Sequence, residues 1–194
     1  MIMSVILGSD SVFWQFLQER PEMGYIVLVV VVAPVVEESL KAASVLVSIR
    51  WINELEDGLV YGAAVGLGFA AVENMLYLND ALSAGIGVFL TTAVARAVTS
   101  TVLHASATAV SGLGISRWKM LRKAGRRSSP LSFLLTAILL HGVFNFLAIL
   151  GIIFGGGQGD VYFVGLALSA SLAVAVFIFV RRSLRDLDRS TCPK

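Results

Sequence analysis

Ionisable side chains interrupt the long apolar stretches of this chain, and they are the residues with which it could do chemistry. They are three glutamates, a lysine, an arginine and two histidines: Glu37, Glu38, Lys41, Glu73, Arg96, His104 and His141. Near a helix centre in a bilayer each charge costs about 2.5–3.5 kcal/mol, so five cost on the order of 12–17 kcal/mol before pairing. That rivals the stability of a whole domain, about 5–15 kcal/mol. Pairing or protonation must remove much of this cost, and a functional role is the default hypothesis for such residues.

These residues supply two ways of hydrolysing a peptide bond. In the first, a glutamate among apolar helices is a stronger base than in water and activates a water molecule, while Asn145 donates to the oxyanion. In the second, two histidines and a glutamate hold a catalytic zinc ion, and another glutamate is the base. The predicted catalytic residues are Glu37, Glu38, Glu73, His104, His141 and Asn145. The candidate zinc ligands are Glu38, Glu73, His104 and His141. The sequence alone does not choose between the two routes.

A purely structural interpretation explains part of this set. Glu37 and Lys41 are four residues apart, in the favourable order for an ion pair on one helix. This ion pair does not explain Glu38, because adjacent residues differ by about 100° around a helix and cannot both face Lys41 equally well. Arg96 is expected to act as a counter-charge, or to extend its charged end toward the membrane surface. The single cysteine, Cys192, excludes an internal disulfide and a cysteine-based metal site.

The elements that must position these residues are membrane-spanning helices. Hydrophobic residues make up 57% of the 194 residues and charged residues only 14%, against about 25% charged in soluble domains. Spans of roughly 20 apolar residues are predicted. They are Gly24–Ile49, Leu59–Leu78, Ala81–Ile115, Leu131–Leu150 and Val161–Val180. The third is longer than one span needs, and is expected to be either a tilted helix or a short re-entrant piece followed by a span from about Thr91. The fold class is therefore an all-α polytopic transmembrane bundle, with about five spans and an N-terminal interfacial helix.

Depth in the membrane brings the ionisable residues together. Glu37, Glu38 and His141 fall at the middle of their spans and His104 falls near the middle of its own. Glu73 lies roughly 7 Å further toward the outside, at about 1.5 Å per residue. One shared cavity between the midplane and the outer leaflet is predicted. Glycines four residues apart, Gly62 and Gly66, indicate close helix packing, and Gly58 and Gly68 are expected to extend that surface.

The positive charges predict the orientation and the parts of the chain. The loop Arg117–Arg127 and the tail after Val180 are rich in lysine and arginine, which marks the cytoplasmic side. We therefore expect a multi-pass cell-membrane protein with its N-terminus outside and its C-terminal tail in the cytoplasm. Residues 1–23 are predicted to be an interfacial segment, 24–180 the transmembrane domain, and 181–194 a basic tail.

Several short motifs follow one another along the chain. They are Pro34-x-x-Glu37-Glu38-x-x-Lys41, Asp57-Gly58-x-x-Tyr61-Gly62, Gly68-Phe69-Ala70-x-x-Glu73-Asn74, Arg96 with His104 and Thr108, and His141-Gly142-x-x-Asn145-Phe146. Taken in this order, they resemble the PrsW family. The resemblance implies a membrane peptidase of the kind that makes the site-1 cleavage of anti-sigma factors. That family is similar to the CAAX-type membrane endopeptidases, which implies Glu37 as base and His141 and Asn145 on the oxyanion side. Lys41, Asn74 and Arg96 take supporting roles. The chain departs from the CAAX-type pattern at Glu73, where those enzymes have histidine, and this keeps the metal route open.

The predicted function is an intramembrane endopeptidase that cleaves a membrane-anchored protein near the outer membrane boundary, with zinc as the one candidate cofactor. Its expected partners are the lipid bilayer and that protein substrate, with no role for nucleic acid. Two alternatives remain open: a non-enzymatic scaffold resembling a subunit of gamma-secretase, and an ion-coupled transporter.

Overall fold

The structure, a computed structural model, describes residues 21–155 and 160–191 together with Glu19, and the described chain is helical with no strand. Its α-helices are α1 (Pro21–Val27), α2 (Ala33–Val47), α3 (Leu55–Ser83), α4 (Ile86–Val98), α5 (Ser100–Lys123), α6 (Leu131–Gly155) and α7 (Asp160–Thr191). Five segments of the described chain are long and apolar enough to cross a membrane: Pro21–Val47, Leu55–Ser83, Ile86–Lys123, Leu131–Leu150 and Phe163–Arg185. The predicted all-α bundle with five spans is confirmed.

The first span contains a wide turn just before its glutamates. A π-helical turn, Leu28–Val32, joins α1 to α2, and the N–H of Ala33 bonds back to the carbonyl of Leu28. Pro34 follows at the start of α2. Proline has no N–H and clashes with the carbonyl four residues earlier, so a regular α-helical turn is unfavourable there. A π turn accommodates the break inside a continuous helix and is frequent near functional sites.

Glycines allow α3 and α5 to pack with their backbones in contact. A Cβ added at Gly58, Gly62 or Gly66 would meet backbone atoms of Gly112, Thr108–Ala109 or His104–Ala105. The predicted packing role of Gly58, Gly62 and Gly66 is therefore confirmed. The prediction for Gly68 is wrong, because a Cβ there would meet nothing within 4 Å.

The long third apolar stretch consists of two helices rather than one tilted helix. A turn at Gly85, with φ of +119°, leads into α4, and the helix breaks at Thr99 before α5 begins. The Thr99 hydroxyl donates to the carbonyl of Ala95 at 2.7 Å, a back-bond that competes with regular helix hydrogen bonding. The second helix thus begins at Ser100, later than the predicted Thr91.

Several predicted spans were too short, because charged residues continue the helices beyond the apolar core. The first helix begins at Pro21 rather than at Gly24. The helix α3 starts at Leu55, where Glu54 and Asp57 form a capping box, and it continues past Asp80 to Ser83. Seven of the eleven residues of the predicted basic loop, 117–123, belong to α5, and the tail after Val180 is helical as far as Thr191. Of the predicted interfacial segment 1–23, the structure describes only Glu19 and residues 21–23, and the last three belong to α1; Cys192 lies outside the described residues.

Candidate active site

The helix α2 presents a pair of adjacent glutamates and a lysine at the centre of the bundle. The Lys41 ammonium donates to Glu38 Oε1 at 2.8 Å and to Glu37 Oε2 at 3.5 Å. Glu38 is completely buried and Lys41 is 1% exposed, whereas the Glu37 side chain is 19% exposed. Their different burial follows from the angle of about 100° between neighbouring side chains on a helix.

The Glu38 carboxylate is surrounded by donors from three helices. Besides Lys41, it accepts from His141 Nδ1 of α6 at 3.0 Å and from the Thr108 hydroxyl of α5 at 3.4 Å. Buried charges persist in proteins when they are paired and hydrogen-bonded in this way. Glu38 therefore joins α2, α5 and α6 at one point.

The partners of the two histidines define which ring nitrogens carry protons. His104 Nδ1 lies 2.7 Å from the Lys41 ammonium, and His104 Nε2 lies 2.8 Å from Glu73 Oε2. Since lysine only donates and a carboxylate only accepts, Nε2 of His104 carries the proton. The same reasoning places the proton of His141 on Nδ1, facing Glu38. The Nε2 lone pair of His141 then faces Glu37 Oε2, 3.8 Å away.

Glu73 connects this cluster to a second polar network on α3, α4 and α5. Arg96 donates to Glu73 Oε2 at 2.8 Å, to Asn74 Oδ1 at 2.7 Å and to the Ser100 hydroxyl at 3.1 Å. Asn74 in turn donates to the Thr101 hydroxyl at 2.9 Å. Arg96 is thus the counter-charge of Glu73. Its hydrogen bond to the Ser100 hydroxyl crosses the helix break at Thr99, because Arg96 lies near the end of α4 and Ser100 at the start of α5.

Glu37 differs from the other ionisable groups because its carboxylate has unused hydrogen-bonding capacity. Within the described part of the chain, Lys41 is the only hydrogen-bond donor to Glu37, and that contact is long. Glu37 Oε2 and His141 Nε2 face each other at 3.8 Å, a distance that a single water molecule or metal ion bound to both atoms can bridge. Water activation needs a carboxylate of this kind, with a free acceptor within reach of the water.

The residues present also fit a divalent metal ion. Donor atoms of Glu37, His104 and His141 all lie within 4.8 Å of one another. Metal-binding histidines usually donate their other ring N–H to a carboxylate, and Glu38 and Glu73 accept from the two histidines in that way. In this arrangement Glu38 and Glu73, predicted as candidate ligands, lie behind the histidines, and Glu37 is the carboxylate grouped with them.

Asn145 lies one turn beyond His141 on α6, but its side chain contacts another part of the site. Its amide donates to the carbonyl of Val29 in the π-helical turn at 2.9 Å. The asparagine therefore fixes the wide turn of the first span against α6. Gly142 lies against the same turn, since a Cβ there would approach the carbonyl oxygen of Val30 at 2.6 Å.

The sequence interpretation assigned no role to the hydroxyl and aromatic residues that complete the site, although Thr108 and Phe69 stand in the motifs that resemble the family. Thr108 and Ser100 each lie four residues from His104, on the same face of α5, and this spacing was the available signal. Phe69 lies beneath the lysine, with the ammonium 4.1 Å from the ring centroid. For Phe69 the available signal was its place in the motif Gly68-Phe69-Ala70, since a phenylalanine in an apolar helix otherwise indicates no particular role.

Comparison with known proteins links the chain to one family. Residues 1–180 match the family model described as PrsW family intramembrane metalloprotease. The chain is 37% identical over 126 residues to Protease PrsW of Clostridioides difficile (strain 630), covering 60% of this chain and 50% of that protein. It is 35% identical over 130 residues to Protease PrsW of Geobacillus kaustophilus (strain HTA426), covering 61% and 54%. Protease PrsW of Bacillus subtilis (strain 168) is 29% identical over 150 residues, covering 75% and 66%. The chain thus spans about half the length of the first two relatives. No solved structure matches it.

Proposed function

Because the chain belongs to the PrsW family of intramembrane metalloproteases, we propose that it is an intramembrane endopeptidase that hydrolyses a membrane-anchored protein. One observation carries this proposal: the partly exposed Glu37 carboxylate faces a free imidazole nitrogen of His141 at 3.8 Å, within a cluster whose other ionisable groups are paired. A purely structural network has no need of a carboxylate with unused acceptor capacity.

The proposed reaction uses Glu37 as general base. A water between Glu37 and His141 donates one hydrogen bond to each, and its oxygen attacks the scissile carbonyl carbon while its proton passes to Glu37. The proton then moves from Glu37 to the leaving nitrogen as the C–N bond breaks, which gives an acid and an amine and restores the carboxylate. A divalent metal ion such as zinc would be held by Glu37, His104 and His141 and would supply Lewis acidity; in that state Glu37 would be a metal ligand and not the free base.

The other residues of the cluster are proposed to hold this geometry. Glu38 fixes the tautomer and orientation of His141, and Glu73 does the same for His104. Arg96 keeps Glu73 in place. Correct placement of reacting groups accounts for several kcal/mol of rate enhancement, on the order of 7–11 kcal/mol at best, so these positioning contacts matter for the rate.

The substrate and the orientation belong to the same proposal. The family resemblance favours a single-span anti-sigma factor, cut near the outer membrane boundary, with the basic end of the bundle in the cytoplasm. Labelling of Cys192, the one cysteine of the chain, tests the orientation. A maleimide that cannot cross membranes should label Cys192 only after the cells are permeabilised. Labelling of intact cells would reverse the proposed orientation.

The decisive experiment compares Glu37→Gln with Asp80→Asn. Both changes remove one carboxylate charge, but Asp80 lies exposed near the end of α3, away from the cluster. Purified variants are reconstituted with single-span membrane proteins, including anti-sigma factors, and products are identified by mass spectrometry. Glu37→Gln and His141→Ala should abolish cleavage with the helical content unchanged, whereas Asp80→Asn should cleave as the original chain does. A chelator added to the original chain tests whether cleavage needs the metal.

The opposite result would assign the cluster to packing. If Glu37→Gln and His141→Ala both retain cleavage, the proposed site is wrong. If the chain cleaves nothing and both changes only lower its thermal stability, the network serves the fold, as the scaffold alternative requires.

A further inference from the structure

Lys41 is a buried cation that lies among the groups expected to bind a metal ion. Its side chain is 1% exposed. Its ammonium nitrogen is 2.8 Å from Glu38 Oε1, 3.5 Å from Glu37 Oε2 and 2.7 Å from His104 Nδ1. It also lies 4.1 Å from the Phe69 ring centroid, within the range of a cation–π contact. The lysine is thus held on several sides by the cluster, two of whose members are candidate metal ligands.

The contact with His104 decides what else can bind there. Nε2 of His104 bears the proton that Glu73 accepts, so Nδ1 has the one available lone pair of this ring. A zinc ion binds an imidazole nitrogen at about 2.0–2.1 Å through that same lone pair. The Lys41 ammonium already donates to it. A metal ion and the ammonium cannot both use His104 Nδ1.

Formal charge leads to the same conclusion. Three carboxylates, Glu37, Glu38 and Glu73, face two cations, Lys41 and Arg96, which leaves one net negative charge when the histidines are neutral. A divalent ion added beside Lys41 would leave the buried cluster with one net positive charge. The same ion added to a cluster without the lysine charge would make it neutral.

We propose that Lys41 is the resident cation of this site and that its ammonium and a divalent metal ion are alternative occupants. The metal binds only when the lysine side chain leaves His104. Lys41 therefore lowers the affinity for metal and keeps the cluster paired when no metal is bound. This inference rests on the metal-binding part of the proposed function.

Zinc titration of the purified, metal-stripped protein in detergent tests the inference at one fixed pH. The variants are Lys41→Met, which removes the charge, and Lys41→Arg, which keeps it. The ammonium and the zinc ion carry like charges, and like charges a few ångströms apart repel far more strongly in a protein interior than in water. Even partial relief should tighten zinc binding by about 100-fold in Lys41→Met. Lys41→Arg should bind no more tightly than the original chain.

Thermal unfolding provides a readout that does not depend on proteolysis. Without zinc, Lys41→Met should unfold at a lower temperature than the original chain, because Glu38 loses its buried counter-charge. Zinc at about 100 times its Kd should then raise the midpoint of Lys41→Met by roughly 5–10 °C. The same zinc concentration should shift the original chain much less. The double variant with His141→Ala separates this site from zinc bound elsewhere, since it should lose the tight binding.

Several results would overturn the inference. Equal zinc affinity in the original chain and Lys41→Met would show that the lysine does not compete with the metal. Absence of zinc binding to both proteins would also overturn the inference, because no metal would then use the site. If Lys41→Met does not fold with or without zinc, Lys41→Gln decides, because it keeps a donor for Glu38 without the charge. Cleavage by the original chain and its loss in Glu37→Gln are measured separately. Failure of the zinc result alone therefore leaves the proposed proteolysis standing, and failure of the cleavage result alone leaves the competition standing.

Discussion

Gly66 is the point at which one added methyl group should disturb both the fold and the site. It lies on α3 where this helix packs against the backbone of α5. A Cβ there would be 2.7 Å from the carbonyl carbon of His104 and 2.8 Å from Cα of Ala105. These are backbone atoms of a helix, so they cannot turn aside as a flexible side chain can. Gly68, two residues later on the same helix, has open space at its Cβ position and is the matched control.

The expected change in stability combines two opposing effects. Alanine in place of helical glycine gains roughly 1 kcal/mol of helix propensity at either position. At Gly66 the overpacked contact costs about 1–3 kcal/mol, and the rigid backbone places the cost at the upper end. Gly66→Ala should therefore lose about 1–2 kcal/mol, while Gly68→Ala should gain up to about 1 kcal/mol. The difference between the variants should be about 2–3 kcal/mol.

Unfolding in mixed detergent micelles, followed by circular dichroism, measures this difference. The same protein preparations give the cleavage rate in proteoliposomes. A shift of His104 by a few tenths of an ångström to 1 Å should lower that rate by more than tenfold, since misplacement by about 1 Å can cost 100-fold. Equal stability of Gly66→Ala and Gly68→Ala would refute the close contact between α3 and α5. Normal cleavage by a destabilised Gly66→Ala would refute the requirement for His104 at this position.

Three further substitutions test the polar network. Glu38→Gln should destabilise the protein by about 3–5 kcal/mol in chemical unfolding, because it breaks a buried ion pair on one side, and a loss under 1 kcal/mol would contradict this. Arg96→Gln should lower the cleavage rate more than the stability, because Glu73 loses its counter-charge while remaining partly exposed; parallel losses would indicate a general packing role. Asn145→Leu should cost about 0.6 kcal/mol through loss of the bond to the Val29 carbonyl, and no change in the unfolding midpoint would argue against that contact.

The positions of charges along the chain were sufficient to predict the spans and most of the cluster. Glu37, Glu38, His104 and His141 were placed at similar depth from their positions within apolar stretches, and the structure brings them together with Glu73. Depth could be predicted because a helix rises by a constant amount per residue. The ends of the helices could not, since charged residues such as Lys119 and Arg185 continue a helix beyond its apolar core.

Contacts that depend on the rotation of each helix about its axis could not be predicted from spacing. Asn145 shares a face with His141, yet the π-helical turn of the first span brings the Val29 carbonyl to its amide. Nothing in the apolar sequence around Val29 indicates that turn apart from Pro34. Spacing places Thr108 on the same face of α5 as His104, but its contact with Glu38 depends on how α5 is rotated against α2. Side chains at such positions become visible only when the packing of the helices is known.

The two adjacent glutamates show how one turn of helix can divide a structural task from a chemical one. Two neighbouring carboxylates cannot face the same lysine equally, and the distances to Lys41, 2.8 Å from Glu38 and 3.5 Å from Glu37, agree with that expectation. Glu38 points into the bundle, where the Lys41 ammonium neutralises its charge and His141 donates a hydrogen bond to it. Glu37 is turned toward the edge of the cluster, where its carboxylate keeps acceptor capacity. A base must be able to accept a proton from water. Glu37 is partly exposed and has a free acceptor, whereas Glu38 is buried and paired, so the burial of the two side chains fits Glu37, rather than Glu38, as the base.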